Sequence, residues 1–179
     1  MSQPLVVPVI TGPSVILRPF QTSDVEAVLD ATTDPLIPLI TSVPDIADSE
    51  LAAAFVRRQH ERATMGVGYS FAVESRAVCV GQIGLWLRDL DQGRATIGYW
   101  IRPSSRRCGH ATHALGALTR WAWNLPEVHR LQLYIEPHNV GSWRAAERVG
   151  YAREGLLRSW EVVGDERRDM FMYGVTRQH

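Results

Sequence analysis

The feature that most constrains this chain is a change of hydrophobic period at Gly109. Upstream, Gly68 to Glu74, Ala77 to Leu87 and Arg94 to Ile101 are three β-rich runs, joined through Ser75-Arg76 and through Asp89-Leu90-Asp91-Gln92-Gly93. Connections that short make antiparallel hairpins. Downstream, Ala111, Ala114, Leu115, Leu118, Ala122 and Leu125 recur at helical spacing and stop before Pro126, and a further strand runs from Arg130 to Glu136. A meander whose last strand feeds a helix and then another strand is an antiparallel sheet extended by a parallel crossover. All-β and all-helical architectures are excluded.

The flanks fit the same plan. Ser14 to Phe20 reads as a short strand, Thr22-Ser23-Asp24 offers caps for a helix running toward Ala31, and Asp48 or Ser49 caps a second helix through about Thr64, with Leu51, Ala54, Phe55 and Arg58 on one stripe. After Glu136, Asn139 caps a helix whose Val140, Trp143, Ala146 and Val149 face inward, and Gly150 sits where a left-handed cap closes it. A last hairpin pairs Arg153 to Val163 with Arg167 to Val175. The expectation is one α/β (α+β) domain over 13–179, preceded by an N-terminal extension over 1–12, with a mixed, mostly antiparallel seven-stranded sheet and about four helices. A length of 179 residues suits a single core.

Nineteen basic and nineteen acidic residues balance, which argues against a nucleic-acid or membrane-surface binder. Every basic residue is arginine, so Schiff-base chemistry on lysine is excluded. Cys79 and Cys108 form no CxxC pair and read as free thiols in a reducing compartment. The first residues lack a secretory pattern and no long uncharged apolar run occurs, so the expected location is cytoplasmic.

The junction itself reads IRPSSRRCGHAT, from Ile101 to Thr112. A strand end, two arginines, a glycine and a helix start can hold a phosphate, because the first amides of a helix are unpaired and its dipole favours an anion. A plain strand-to-helix connection with solvated arginines fits the loop equally well. The pattern matches neither GxGxxG nor GxxxxGK[ST], which disfavours dinucleotide and nucleotide-triphosphate loops.

Arg106-Arg107-Cys108-Gly109-His110-Ala111 resembles the Q/R-x-x-G-x-G/A signature of the GNAT superfamily of N-acetyltransferases. GYWIRP (Gly98 to Pro103), VGQIGL (Val80 to Leu85) and EPHNVGSWRAAERVGY (Glu136 to Tyr151) are similar to the family's other hallmarks, most of all to the ribosomal-protein alanine N-acetyltransferase (Rim-type) branch. The likeness runs from about Ser14 onward. It implies an acetyl-CoA co-substrate without a metal, its pyrophosphate on Arg107, Cys108, Gly109, His110, Ala111 and Thr112, with Arg106 and Arg107 as counter-charge. The pantetheine arm would lie along Ile101 and Arg102, where the strand ending at Ile101 splays from the one ending at Glu136, and Asn139 would hydrogen-bond the arm. Arg144 and Arg148 could reach the nucleotide end or simply be solvated.

The implied reaction is acetyl transfer from a thioester to a primary amine, which needs a base for the ammonium and a proton donor for the departing thiolate. Many relatives place a tyrosine acid at the position held here by Ala146; in the Rim-type branch a serine three residues after the asparagine takes that role, and Ser142 matches it. Local capping of the helix is the competing role for Ser142. The branch's glutamate is replaced by Thr96, which cannot act as a base. Glu136 is the first candidate base and His138 the second. His110 and His113, without acidic or cysteine companions, read as helix-start residues rather than metal ligands. Trp160 is expected near the acceptor.

Three functions follow: an N-acetyltransferase acting on a protein or peptide N-terminus or on a small amine, an acyl-CoA sensor of the same fold that has lost turnover, and a nucleic-acid binder, which the charge balance disfavours. A homodimer is left open.

Overall fold

The computed structural model describes residues 4–177. Its eight strands form one mixed sheet in the order β1-β2-β3-β4-β5-β6-β8-β7. The strands are β1 (Ile10–Thr11), β2 (Ile16–Arg18), β3 (Gly68–Ser75), β4 (Val78–Trp86), β5 (Arg94–Ile101), β6 (Arg130–Ile135), β7 (Ala152–Val163) and β8 (Glu166–Thr176). The helices are α1 (Val25–Ala31), α2 (Ile37–Ile40), α3 (Ser49–Thr64), α4 (His110–Ala122) and α5 (Val140–Val149). The eighth strand is β1, within the stretch read from sequence as an extension; Ile10 and Thr11 pair antiparallel with Leu17 and Ile16. The additional helix is the four-residue α2, in the proline-containing loop. Among the described residues no helix is long and apolar enough to cross a membrane.

The sheet separates two clusters of buried side chains. On one face, α4 buries Leu115 and Leu118 against Phe71, Ile83, Leu85, Ile97, Leu131 and Leu133, and Ala146 of α5 joins them. Each buried leucine contributes on the order of 2–3 kcal/mol by the area it removes from water. On the other face, Phe20, Val28, Ala52, Phe55 and Val56 pack on Ala72, Cys79 and Trp100. This alternation follows from the two-residue period of the strands.

Caps fix the helix starts. The Asp48 carboxylate accepts from the amides of Glu50 and Leu51, both at 2.8 Å, and opens α3. The inward face of α3 is Ala52, Phe55, Val56, Gln59 and Ala63, about one residue round from the expected stripe, and Leu51 is exposed. The cause is tertiary. Gln59 turns inward because its amide accepts from Ser70 Oγ at 3.0 Å while Gln82 Nε2 donates to the same hydroxyl at 3.1 Å. In α5 Ala145 and Ala146 are buried and Trp143 and Val149 pack half-buried against the core as expected, whereas Val140 at the first turn is exposed.

Candidate active site

Among the described residues β5 and β6 are the only parallel pair of the sheet, and they pair only over Arg94–Thr96 against Arg130–Gln132. Beyond Thr96 and Gln132 the strands part. β5 continues against β4 to Ile101, and β6 continues against β8 to Ile135. The split leaves backbone groups on facing strand edges without a strand partner, which an extended amide-bearing chain can satisfy.

The loop after β5 leads to a helix start free of protein caps. Arg102 N donates to Val80 O at 2.9 Å, Pro103–Ser105 makes a single 3-10 turn, Arg107 takes a left-handed backbone (φ 62°), and Gly109 takes another (φ 77°) as the cap residue of α4. Among the described residues no side chain caps α4, so the amides of His110, Ala111 and Thr112 stand at the positive end of the helix dipole. His110 Nδ1 is buried there without a hydrogen-bond partner, and burial, with His113 and Arg76 nearby, lowers its pKa below the usual imidazole value. His113 is engaged by Ser14 through Nδ1 and Oγ. This donor set fits a pyrophosphate.

The two adjacent arginines do different things. Arg106 turns to Asp34, with Nη1 at 2.6 Å from Oδ2, and its Nε donates to Ile101 O at 3.2 Å. Burial pushes the Asp34 carboxyl up, but Arg106 and the amides of Ile37 and Leu36 outweigh it and hold the group below the carboxylate range. Arg106 therefore braces the loop against the segment after α1. Arg102 is tied there too: its Nε donates to Ser105 Oγ at 2.9 Å and lies 3.6 Å from Asp30. Arg107 and Cys108 are exposed, and Arg107 forms no ion pair among the described residues.

A cavity of about 1050 Å³ opens at the split, and Thr96, Tyr99, Gln132, Tyr134, Glu136, Asn139 and Ser142 contribute to its wall. Gln132, Tyr134 and Glu136 line it together with Leu133 and Ile135 because β6 presents its free edge there, while Leu131, Leu133 and Ile135 also join the core. Glu136 is only 6% exposed, and its Oε1 has no hydrogen-bond partner, while Oε2 lies 3.5 Å from Nδ1 of the exposed His138. Thr96 sits in a network without a carboxylate next to it, in which Gln132 Nε2 donates to Thr96 Oγ1 at 3.3 Å and to the Tyr134 hydroxyl at 3.1 Å, and Gln132 Oε1 accepts from Arg130 Nε at 3.4 Å. Glu136 is thus the buried carboxylate of this wall.

Asn139 Oδ1 accepts from Ser142 N at 3.2 Å, so Asn139 caps α5 as its sequence position predicts. Ser142 has a partner that the sequence did not reveal. The Tyr99 hydroxyl lies 2.9 Å from Ser142 Oγ and donates to Ser142 O at 3.1 Å. Burial, only partly offset by the serine, pushes the Tyr99 phenol up to about 12.

Trp160 enters the cavity through a bulge in β7. Leu157 pairs with Met170 and Glu161 with Arg168, which sets Arg158, Ser159 and Trp160 opposite Asp169 alone. Ser159 adopts φ 49°, its amide donates to Asp169 Oδ1 at 2.8 Å, and its carbonyl accepts from Arg167 at 3.2 Å. Trp160 then stacks on Tyr134 with centroids 5.5 Å apart. Among the described residues no group of three or more His, Cys, Asp or Glu side chains could hold a metal.

A split parallel pair ending in an uncapped, glycine-led helix defines a protein that receives a long amide-bearing phosphate ligand in the middle of its sheet. The profile of the Acetyltransferase (GNAT) domain matches residues 14–152, and the chain belongs to this family of acetyl-CoA-dependent N-acetyltransferases. Its relatives include the uncharacterized N-acetyltransferase p20 of Bacillus licheniformis, 22% identical over 164 residues that cover 90% of this chain and 92% of that protein. Among solved structures, Mycobacterium smegmatis RimJ in complex with CoA-disulfide superposes with a TM-score of 0.79 at 25% identity, over 95% of this chain and 86% of that one. RimL, described as a ribosomal alpha-N-protein acetyltransferase in complex with coenzyme A, gives 0.80 at 19% identity, over 94% and 98%.

Proposed function

We propose that the chain acetylates a primary amine, the N-terminus of a protein or peptide or a small amine, with Glu136 as the base and Ser142, backed by Tyr99, as the proton donor. The observation that carries this reading is that Glu136, buried with an unpartnered carboxylate oxygen, faces the same cavity as Ser142. Bound at the split, acetyl-CoA supplies the thioester carbonyl that the amine attacks and the thiolate that leaves. The amides of His110, Ala111 and Thr112, with Arg107, hold the pyrophosphate, and the free edges of β5 and β6 orient the pantetheine arm.

An ammonium has no lone pair, so attack requires a base within reach. Glu136 takes that proton at its carboxylate, and the nearby His138 ring orients Oε2. Thr96 cannot take this role, and its neighbours Gln132 and Tyr134 are neutral amide and phenol. Ser142 Oγ gives a proton to the departing sulfur and regains one from solvent in the cavity, to which Glu136 in turn releases the proton taken from the amine, while the Tyr99 hydroxyl supports the serine oxygen through their shared hydrogen bond. Ala146, at the position where many relatives carry a tyrosine, is fully buried and has no polar group to offer. Tyr99 delivers a phenol to the same neighbourhood from the strand instead of the helix.

Names of two structural neighbours, RimJ and the ribosomal-protein acetyltransferase RimL, support a peptide or protein N-terminus as one acceptor class. The test is thiol release from acetyl-CoA with a panel of peptides and small amines. Turnover with at least one amine, lost in Glu136→Gln, is expected; tight coenzyme binding with no turnover on any amine would instead favour a sensor of the same fold.

A further inference from the structure

We infer that the acceptor of this enzyme carries an anionic group, a carboxylate or phosphate attached to the amine, and that Arg62 with Arg88 receives it. The inference deepens the acetyltransferase reading above and rests on it for the identity of the amine end.

The cavity is chemically divided. Glu136, Asn139 and Ser142 come from β6 and the start of α5, on one side of the split. Arg62 of α3, Trp86 at the end of β4 and Arg88 just beyond line the opposite side, across β5. Arg62 is held in place: its guanidinium lies 4.1 Å from the centroid of the Trp86 ring, and Nη2 donates to Ser42 Oγ at 3.3 Å. Arg58, one turn earlier, donates to Ser42 O at 2.9 Å. None of Arg58, Arg62 and Arg88 forms an ion pair among the described residues. Asp89 and Glu161 also line the cavity without pairing to these arginines, and Glu161 stands opposite Arg168 in the β7–β8 ladder.

Arg62 is half-buried on this wall, with the exposed Arg88 beside it and Arg58 one turn away, and a partly desolvated guanidinium with no carboxylate paired to it among the described residues is costly unless an anion joins it. Burial first, then repulsion from Arg58 and Arg88, brings Arg62 down to about 10. The group stays cationic at neutral pH but loses solvation that a ligand oxyanion would replace. A guanidinium fixed on an aromatic face and offering its edge donors is suited to carboxylate and phosphate recognition. Arg106, by contrast, has Asp34, and Arg130 has Glu154. Those two arginines have carboxylate partners, whereas Arg62 and Arg88 line the cavity with none among the described residues.

The test uses the full chain and two matched probe pairs: alanyl-phenylalanine against alanyl-phenylalaninamide, and O-phosphoethanolamine against ethanolamine. Thiol release gives kcat/KM, and calorimetry on the CoA-loaded chain gives probe binding. In at least one pair the anionic member is expected to be preferred roughly 10- to 100-fold, the range of a hydrogen bond to a charged group. The preference should fall to about threefold or less in Arg62→Gln, survive largely in Arg62→Lys, and weaken with added salt. Unchanged CoA affinity in Arg62→Gln shows that the variant is folded; if it does not fold, Arg88→Gln carries the same comparison. Equal use of both members of each pair, no binding of either anionic probe at millimolar concentration, or an unchanged preference in the double variant Arg62→Gln, Arg88→Gln overturns the inference. Anionic probes that bind through Arg62 while no amine of the full panel releases thiol would uphold the anion site and sink the acetyl-transfer reading.

Discussion

The hydroxyl of Tyr99 lies 2.9 Å from Ser142 Oγ, joining the middle of the fifth strand to the first turn of the last helix across 43 residues of sequence. Neither group is an ordinary acid at neutral pH; together they form a donor pair that ends at a cavity wall. Tyr99→Phe should lower kcat by about 10- to 100-fold and Ser142→Ala by roughly 10- to 1000-fold, with acetyl-CoA affinity unchanged in both. Because the two act in series, the double variant should be little worse than Ser142→Ala alone. Additive losses, measured by steady-state kinetics, would mean that Tyr99 acts independently of the serine.

Removing the base should change the pH profile as well as the rate. Glu136→Gln keeps the shape of the side chain and abolishes proton uptake, so the acidic limb of kcat/KM should disappear and kcat should drop by about 100-fold or more. Thr96 also lines the cavity, close to Gln132 Nε2, so Thr96→Glu in the Glu136→Gln background returns a carboxylate with a ready donor and should recover part of the rate. A Glu136→Gln enzyme with parental kcat and profile would withdraw the base assignment.

Alkaline stability should report on Cys79. Burial foremost, then the charge of Asp24, pushes its thiol from 9.0 up to about 12, so the folded chain keeps a proton that the unfolded chain releases. A raised folded pKa stabilises below the unfolded value and is lost as pH climbs toward the folded one. The loss therefore begins near pH 9.0 and runs toward 12. Its slope is at most about 1.4 kcal/mol per pH unit. The raised tyrosines, Tyr99 among them, add the same trend only from about their ordinary value of 10.0. Urea unfolding between pH 8 and 10 should then show a steeper fall for the parent than for Cys79→Ala, at roughly the slope just given. Parallel curves would show that the thiol is not the titrating group.

Local pattern made much of this molecule legible. The period-2 runs, the Asp48 and Asn139 caps and the Gly150 closure are all decided within a few residues, and the structure has them. Glu136 could be picked out as a candidate because it ends the sixth strand beside the expected splay, and it lines the cavity there. The phase of the third helix was not legible, because Gln59 turns inward for Ser70 and Gln82 on other elements. Tyr99 was hidden for a similar reason: nothing within GYWIRP marks its hydroxyl, and only the approach of the last helix gives it a partner. The bulge that aims Trp160 depends on Asp169 across the hairpin and has no glycine to announce it.

The adjacent arginines of the loop give the sharpest separation of sequence from structure, since they look alike in the chain and are both exposed, yet only Arg106 has an ion-pair partner among the described residues. Arg106 faces Asp34, an 8% exposed carboxylate, and Arg107 faces outward beside the uncapped helix start. Removing Arg107 should weaken CoA binding by about 3- to 30-fold and reduce its salt dependence, as expected for a solvated counter-charge on a phosphate. Removing Arg106 instead strands a buried carboxylate and frees the Ile101 carbonyl, so its first effect should be on stability, about 1–3 kcal/mol. Asp34→Asn combined with Arg106→Gln replaces the ion pair by neutral groups and should restore most of that stability. Calorimetric CoA titrations and urea unfolding of the two single alanine variants should therefore diverge, one losing affinity at parental stability and the other losing stability first. If Arg106→Ala keeps parental stability but loses CoA affinity and salt slope as Arg107→Ala does, then Arg106 leaves Asp34 for the ligand and the division of labour is wrong.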